Sequence, residues 1–125
     1  MVEYDKLHPD PTLGEPSSGP GGLTRKGIAR QTQFLINLNP QTVIVTDTGD
    51  SWFIGLKISL PFGADFEIEM QWGSIGWFIP ASFGYALARP HETVIVMVGD
   101  GAFQMTSHEL SQMVQVLMFS VFTRQ

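Results

Sequence analysis

The residues whose types and spacing are best suited to chemistry are Gly99, Asp100 and Gly101, which interrupt the run "VIVMVGDGAFQMTSHEL" over residues 94–110. An apolar, β-branched stretch that stops at a carboxylate between two glycines sets one anionic oxygen donor at a strand's mouth, with bare backbone on either side. Gly99 and Gly101 permit positive φ and close approach to a ligand, and a backbone N–H such as that of Ala102 can face a phosphate. One carboxylate among phosphate oxygens is a common way of holding Mg²⁺, which keeps an octahedral shell and seldom receives an all-protein cage. Asp100 would repel an anionic ligand on its own, so a bridging Mg²⁺ is the chemistry this motif suggests. The tripeptide taken alone also fits a plain tight turn.

A second segment, "FEIEMQWGSIGWFIPASFGYA" over 66–86, carries the loop "QWGSIGW" between an acidic run and a helix signal. Its glycines expose backbone to a planar ligand, with Trp72 and Trp77 expected to pack beneath and Ile75 to project. The same residues also fit a hydrophobic loop that fills the core. Asp65, Glu67 and Glu69 alternate as a strand face does, and read as a solvated edge. His8 falls in a Pro/Gly-rich stretch, His91 in a turn beside Pro90, and His108 in the first turn of a helix; all three read as solvated side chains without a catalytic role.

These loops need elements to position them. "TRKGIARQTQFLINL" sets Ile28, Phe34, Leu35 and Leu38 near one helical face, with Thr24 as the N-cap. "TVIVTDTGD" and "TVIVMVGDG" read as buried strands, and "IPASFGYALA" as a compact helix whose small residues allow close approach to a sheet. Thr106 and Glu109 form a capping box that opens a helix through "ELSQMVQVL". Strand, helix, strand, helix is the order of an α/β fold with a parallel sheet and flanking helices, in which ligands bind beyond the carboxyl ends of the strands. Both strands end in an acidic, glycine-containing loop there, "TDTGDS" and "GDGAF". Residues 8–22 hold four prolines and four glycines, so residues 1–22 read as a linker and residues 23–125 as the folded part.

Composition narrows the function classes. A chain of 125 residues, 43% hydrophobic, is one domain's worth with enough apolar mass for a core. A net charge of −5 disfavours nucleic acid as a partner. Without cysteine there is neither a disulfide framework nor a thiolate metal site. No stretch is long and apolar enough for a signal peptide or a membrane span, so the expectation is a soluble, cytoplasmic protein without a membrane partner.

Taken together, "VIVTDTGDSWF", "FEIEMQWGSIGW", "PASFGYALA" and "VIVMVGDGAFQMTSHELSQMV" resemble the C-terminal cofactor-binding domain of pyruvate decarboxylases, thiamine-diphosphate-dependent carboxy-lyases acting on 2-oxo acids. "EYDKLHPDPTLGEP" resembles the connector that precedes that domain. The resemblance implies thiamine diphosphate and Mg²⁺ as cofactors, pyruvate as substrate, acetaldehyde and CO₂ as products, and a homo-oligomeric parent enzyme. It makes Asp100 a Mg²⁺ ligand, and Gly101 and Ala102 contacts to the diphosphate. Gly73, Ser74 and Ile75 would meet the aminopyrimidine, the Gly73 carbonyl accepting from its amino group. Ile75 would be the catalytic wedge that bends the cofactor into a V, while Thr48 and Asp50 match loop positions near it.

The chain departs from that pattern at three places. Ile54 stands where the family commonly has Asn, and Ala102 where it commonly has Ser. The Asn that completes the family's metal site, about 25 residues beyond Gly-Asp-Gly, has no counterpart in the 24 residues after Gly101, and "QVLMFSVFTRQ" does not resemble the expected strand. The reading is therefore a truncated domain, inactive by itself, whose parent takes a glutamate and histidines from a partner subunit's amino-terminal domain. Two other readings are a module for a different phosphate ligand, which G-x-G-x-x-G and P-loop motifs would mark and do not, and a non-catalytic subunit that docks on full-length partners.

Overall fold

The computed structural model describes residues 24–116. The first helix, α1 (Arg25–Leu38), is opened by Thr24, whose hydroxyl accepts from the Gly27 N–H at 3.0 Å. There follow β1 (Thr42–Thr46), α2 (Asp50–Gly55), β2 (Asp65–Ile68), α3 (Phe78–Ala88), β3 (Thr93–Met97), α4 (Asp100–Thr106) and α5 (Glu109–Val116). The three strands form one parallel sheet in the order β2-β1-β3, with Val43 opposite Asp65 and Val94. The expected α/β architecture, a parallel sheet with flanking helices, is the one observed.

β1 is buried throughout, with an apolar centre, because helices cover it on both faces. Ile44 packs with Ala29 and Ile36 of α1, Ile54 of α2 and Ile58. Val43 and Val45 point the other way, into a cluster with Phe78 and Ala86 of α3 and Val94 of β3. Contact between α2 and the sheet depends on Gly55, where a Cβ would stand 2.6 Å from Thr46 Cγ2 and 2.8 Å from Phe66 Cε2. β3 is only partly buried, unlike the fully covered β1, because β1 flanks it on one side alone among the described strands.

Several expectations are corrected here. The buried face of α1 is Ala29, Thr32, Gln33 and Ile36, whereas Leu35 and Leu38 are exposed, Leu38 at 67%. Two polar side chains fit that face because their groups are satisfied. The Thr32 hydroxyl donates to the Ile28 carbonyl, and the Gln33 amide donates to the Ser59 carbonyl at 2.8 Å and accepts from the Ser59 N–H at 2.7 Å. The acidic run does form an edge strand, but Asp65 is not merely solvated: Arg89 bridges it at 2.6 Å and Glu92 at 3.0 Å. Thr106 caps no helix; it is the last residue of α4, and α5 begins at Glu109. His108 therefore lies between the two helices, exposed, with its Nε2 3.1 Å from Glu109 Oε1. The linker expected over 1–22 and the terminal stretch 117–125 lie outside the described residues.

Candidate functional site

Because the sheet is parallel, the segments that follow β1, β2 and β3 all leave from its carboxyl end. There the structure brings together residues 47–48, 72–76 and 100–106. Asp47, the first residue beyond β1, is fully buried. Its Oδ1 accepts from the Thr48 N–H at 2.6 Å, and its Oδ2 reaches across 29 residues to the Gly76 N–H at 3.0 Å. Burial raises the Asp47 pKa, and the N–H donors of Thr48, Gly76 and Phe78 oppose that rise. The Thr48 hydroxyl donates to the Ser74 carbonyl at 2.7 Å.

The turn over 73–76 is built from two positive-φ glycines, Gly73 at 61° and Gly76 at 81°. Gly76 is crowded: a Cβ there would lie 2.9 Å from Met105 Cβ and 3.3 Å from the Ala102 carbonyl oxygen of α4. On its other side, the turn is held by Glu69 just beyond β2, whose Oε1 accepts from the Trp72 N–H at 2.7 Å and Oε2 from the Ser74 N–H at 3.0 Å. Ile75 projects as expected, 48% exposed. Trp72 and Trp77 do not pack beneath the loop: Trp72 is 80% exposed, and Trp77, 45% exposed, stands edge-on to Phe78 with ring centroids 4.5 Å apart. With its backbone tied down by carboxylates, the turn leaves its apolar side chains facing outward.

The hydrogen bonds from the backbone, that of Trp72 foremost, hold the Glu69 carboxyl below the ordinary glutamate value. Its contribution to stability is therefore present above the ordinary value, ~4.3, and is lost as pH falls through the lowered one. Acid titration followed by tryptophan fluorescence is expected to show a transition below the ordinary glutamate range that Glu69→Gln lacks. Superimposable titrations would rule out Glu69 as the acid-sensitive anchor.

Asp100 opens α4, with Gly99 as its N-cap. The first bond of that helix runs from the Phe103 N–H to the Gly99 carbonyl at 2.8 Å, so the N–H groups of Asp100, Gly101 and Ala102 precede the ladder. Gly99 and Gly101 do not use the positive φ that glycine permits, Gly99 having φ −74. Nothing lies within 4 Å of a Cβ at Gly73, Gly99 or Gly101. At Gly99 and Gly101, neither conformation nor crowding within the chain calls for glycine, and both face open space. Asp50, at the start of α2, is exposed and paired with Arg25 at 2.6 Å. Ala102 is buried, and Ile54 serves the core. No cluster of three or more His, Asp or Glu side chains suited to a metal occurs among the described residues, so a metal here would draw on ligand oxygens besides Asp100.

A family model described as thiamine pyrophosphate enzyme, C-terminal TPP binding domain, matches residues 47–117. The chain belongs to the thiamine pyrophosphate enzymes. The matched range starts at Asp47 and contains every loop that converges at the sheet's carboxyl end. The chain is 54% identical over 115 residues to a pyruvate decarboxylase of Neurospora crassa, covering 92% of this chain and 20% of that protein. It is 49% identical over 129 residues to a probable pyruvate decarboxylase of Schizosaccharomyces pombe, covering 99% of this chain and 22% of that protein. A pyruvate decarboxylase of Arabidopsis thaliana is 45% identical over 78 residues, which is 62% of this chain and 13% of the relative. The chain thus spans about a fifth of the length of the first two relatives.

Asp47 and Glu69 are the two acids at the site that reading the sequence did not single out as functional. Asp47 lay within the quoted "TDTGDS" but resembled any loop acid, and Glu69 completed an alternation that looked like a wet edge. The available signal was position: each is the first acid beyond the carboxyl end of a strand, within reach of a glycine-rich turn. Among the described residues, no helix is long and apolar enough to cross a membrane.

Proposed function

We propose that this chain is the thiamine diphosphate- and Mg²⁺-binding part of a pyruvate decarboxylase, which takes pyruvate to acetaldehyde and CO₂ without oxidation. The observation that carries this reading is the packing of the Gly73–Gly76 turn against α4 at the carboxyl end of the sheet, with open space at Gly73, Gly99 and Gly101 that would form the cofactor's cradle. When bound, the cofactor supplies the thiazolium carbon at which a 2-oxo acid loses CO₂. Asp100 would hold Mg²⁺ against the diphosphate, and the free N–H groups of Gly101 and Ala102 would donate to phosphate oxygens. The Gly73 carbonyl, Ser74 and Ile75 would face the aminopyrimidine, with Ile75 as the wedge. Thr48, whose hydroxyl is taken by Ser74, would act by holding that turn, and Asp50 would stay beside the rim in its pair with Arg25.

The four acids Asp47, Glu69, Asp50 and Asp100 near this end of the sheet favour a diphosphate that arrives with its divalent cation. The exposure of Ser74, Ile75, Asp100 and Gly101 leaves the cradle open to water, so the chain by itself is expected to bind cofactor without turning over pyruvate. Residues 1–22 would serve as a connector, and a partner copy in the homo-oligomeric parent would close the site. Isothermal calorimetry with thiamine diphosphate, with and without Mg²⁺, is expected to show Mg²⁺-dependent binding, and a coupled acetaldehyde assay to stay at background. Absence of Mg²⁺-dependent binding would overturn the cofactor reading, and rapid acetaldehyde release would overturn the need for a partner.

A further inference from the structure

The turn that carries Gly73, Ser74 and Ile75 is suspended from side chains. The N–H groups of Trp72 and Ser74 go to Glu69, the Ser74 carbonyl to Thr48, the Gly76 N–H to Asp47 and the Gly76 carbonyl to the Thr106 hydroxyl at 2.8 Å. Three of these four side chains lie at or beyond the ends of β1 and β2. Thr106 differs: it belongs to α4, the helix that Asp100 opens. A single residue, Gly76, is thus gripped through its N–H from the sheet and through its carbonyl from the Asp100 helix, and its bare Cα sits against Met105 and Ala102 of that helix.

We propose that Asp47 and Thr106 are positioning residues that act through Gly76, fixing the aminopyrimidine-facing turn relative to the metal-bearing start of α4. The proposal rests on the thiamine diphosphate reading of the cradle. Thr106 occupies the far end of α4 and meets the turn through its hydroxyl and through its Cγ2 methyl, which would stand 3.6 Å from a Cβ at Gly76, so its effect on the cofactor runs through geometry. Asp47 offers both carboxylate oxygens as acceptors. An amide at that position would set an N–H donor against either the Thr48 or the Gly76 N–H, and one grip would be lost.

The decisive measurement uses the 125-residue chain, free of ligand, with hydrogen exchange read at Ser74, Gly76 and the amides of β1. Thr106→Val is expected to speed exchange in the turn about tenfold, the factor that one hydrogen bond of ordinary net worth supplies, while leaving β1 unchanged. Calorimetry with thiamine diphosphate and Mg²⁺ should then show affinity falling by about the same factor, and Thr106→Ser should restore both readings. Unaltered turn exchange in Thr106→Val, or a Thr106→Ser that fails to restore it, would overturn the assignment. Should Thr106→Val not fold, Asp47→Asn decides: faster exchange at Gly76 supports the grip and unchanged exchange removes it. Failure of the wild-type chain to bind the cofactor would sink the cradle reading, and with it the purpose given to the turn. Normal wild-type binding with unaltered exchange in both variants would sink the positioning roles alone.

Discussion

Gly76→Ala is expected to destabilise the folded chain by about 2–5 kcal/mol in urea unfolding, with the slope of the transition unchanged. Two effects add at this position. Gly76 has φ 81, a left-handed conformation that costs a residue with a Cβ roughly 1–2 kcal/mol. The new methyl would also stand 2.9 Å from Met105 Cβ and 3.3 Å from a backbone oxygen, and neither is the free end of a flexible side chain. Overpacking of that kind costs about 1–3 kcal/mol more. Gly73→Ala is the internal comparison, because Gly73 is also left-handed, at φ 61, yet has nothing within 4 Å of its missing Cβ. It should lose only the conformational part, about 1–2 kcal/mol. Equal losses in the two variants would mean that the contact between the turn and α4 is not tight.

What the sequence revealed and what it hid divide along a physical line. Features set by neighbours in the chain were readable. β1 is five apolar or β-branched residues in a row because both its faces are covered, and Thr24 caps α1 through a bond to Gly27, three residues on. Features set by distant partners were not. Thr32 and Gln33 sit on the buried face of α1, and Gln33 is admitted there only because the Ser59 backbone, 26 residues away, satisfies its amide. The apolar periodicity therefore pointed to Leu35 and Leu38, which face water. Asp47 could not be told from Asp50 in "TDTGDS", yet one is fully buried against Gly76 and the other is exposed in a pair with Arg25.

The same division applies to the site. Gly-Asp-Gly was legible as a special turn from residue type alone, and its glycines offered two things, positive φ and close approach to the backbone. Both lie outside the positive-φ region, so only the second, open space, is used. Thr106 and Glu109 satisfied the pattern of a capping box, and the spacing was right for one. The Thr106 hydroxyl went instead to the carbonyl of Gly76, 30 residues back, a partner that no local pattern specifies. The end of α4 is thereby tied to the turn.

Asp100→Ala is expected to weaken diphosphate binding when Mg²⁺ is present and to strengthen it when Mg²⁺ is absent, and that change of sign separates a metal ligand from a rim acid that merely repels anions. With Mg²⁺ present, the variant loses the protein's charged oxygen donor to the ion. Affinity for thiamine diphosphate should fall by more than the roughly 10–100-fold that loss of even an outer-shell partner costs a metal site. Without Mg²⁺ the same substitution removes a negative charge from beside the first-turn N–H groups of α4, so the weak binding of the bare diphosphate should strengthen. Asp100→Asn keeps an oxygen but not the charge. It should match Asp100→Ala without the metal and retain a small part of the Mg²⁺-dependent binding with it. A general electrostatic role would produce the opposite pattern, in which removing the acid helps the anion whether or not Mg²⁺ is there. Calorimetric titrations of the three proteins in the presence and absence of the metal distinguish these cases. Wild-type affinity in Asp100→Ala with Mg²⁺ present would remove Asp100 from the metal site, and the Gly-Asp-Gly motif would then be a helix start and nothing more.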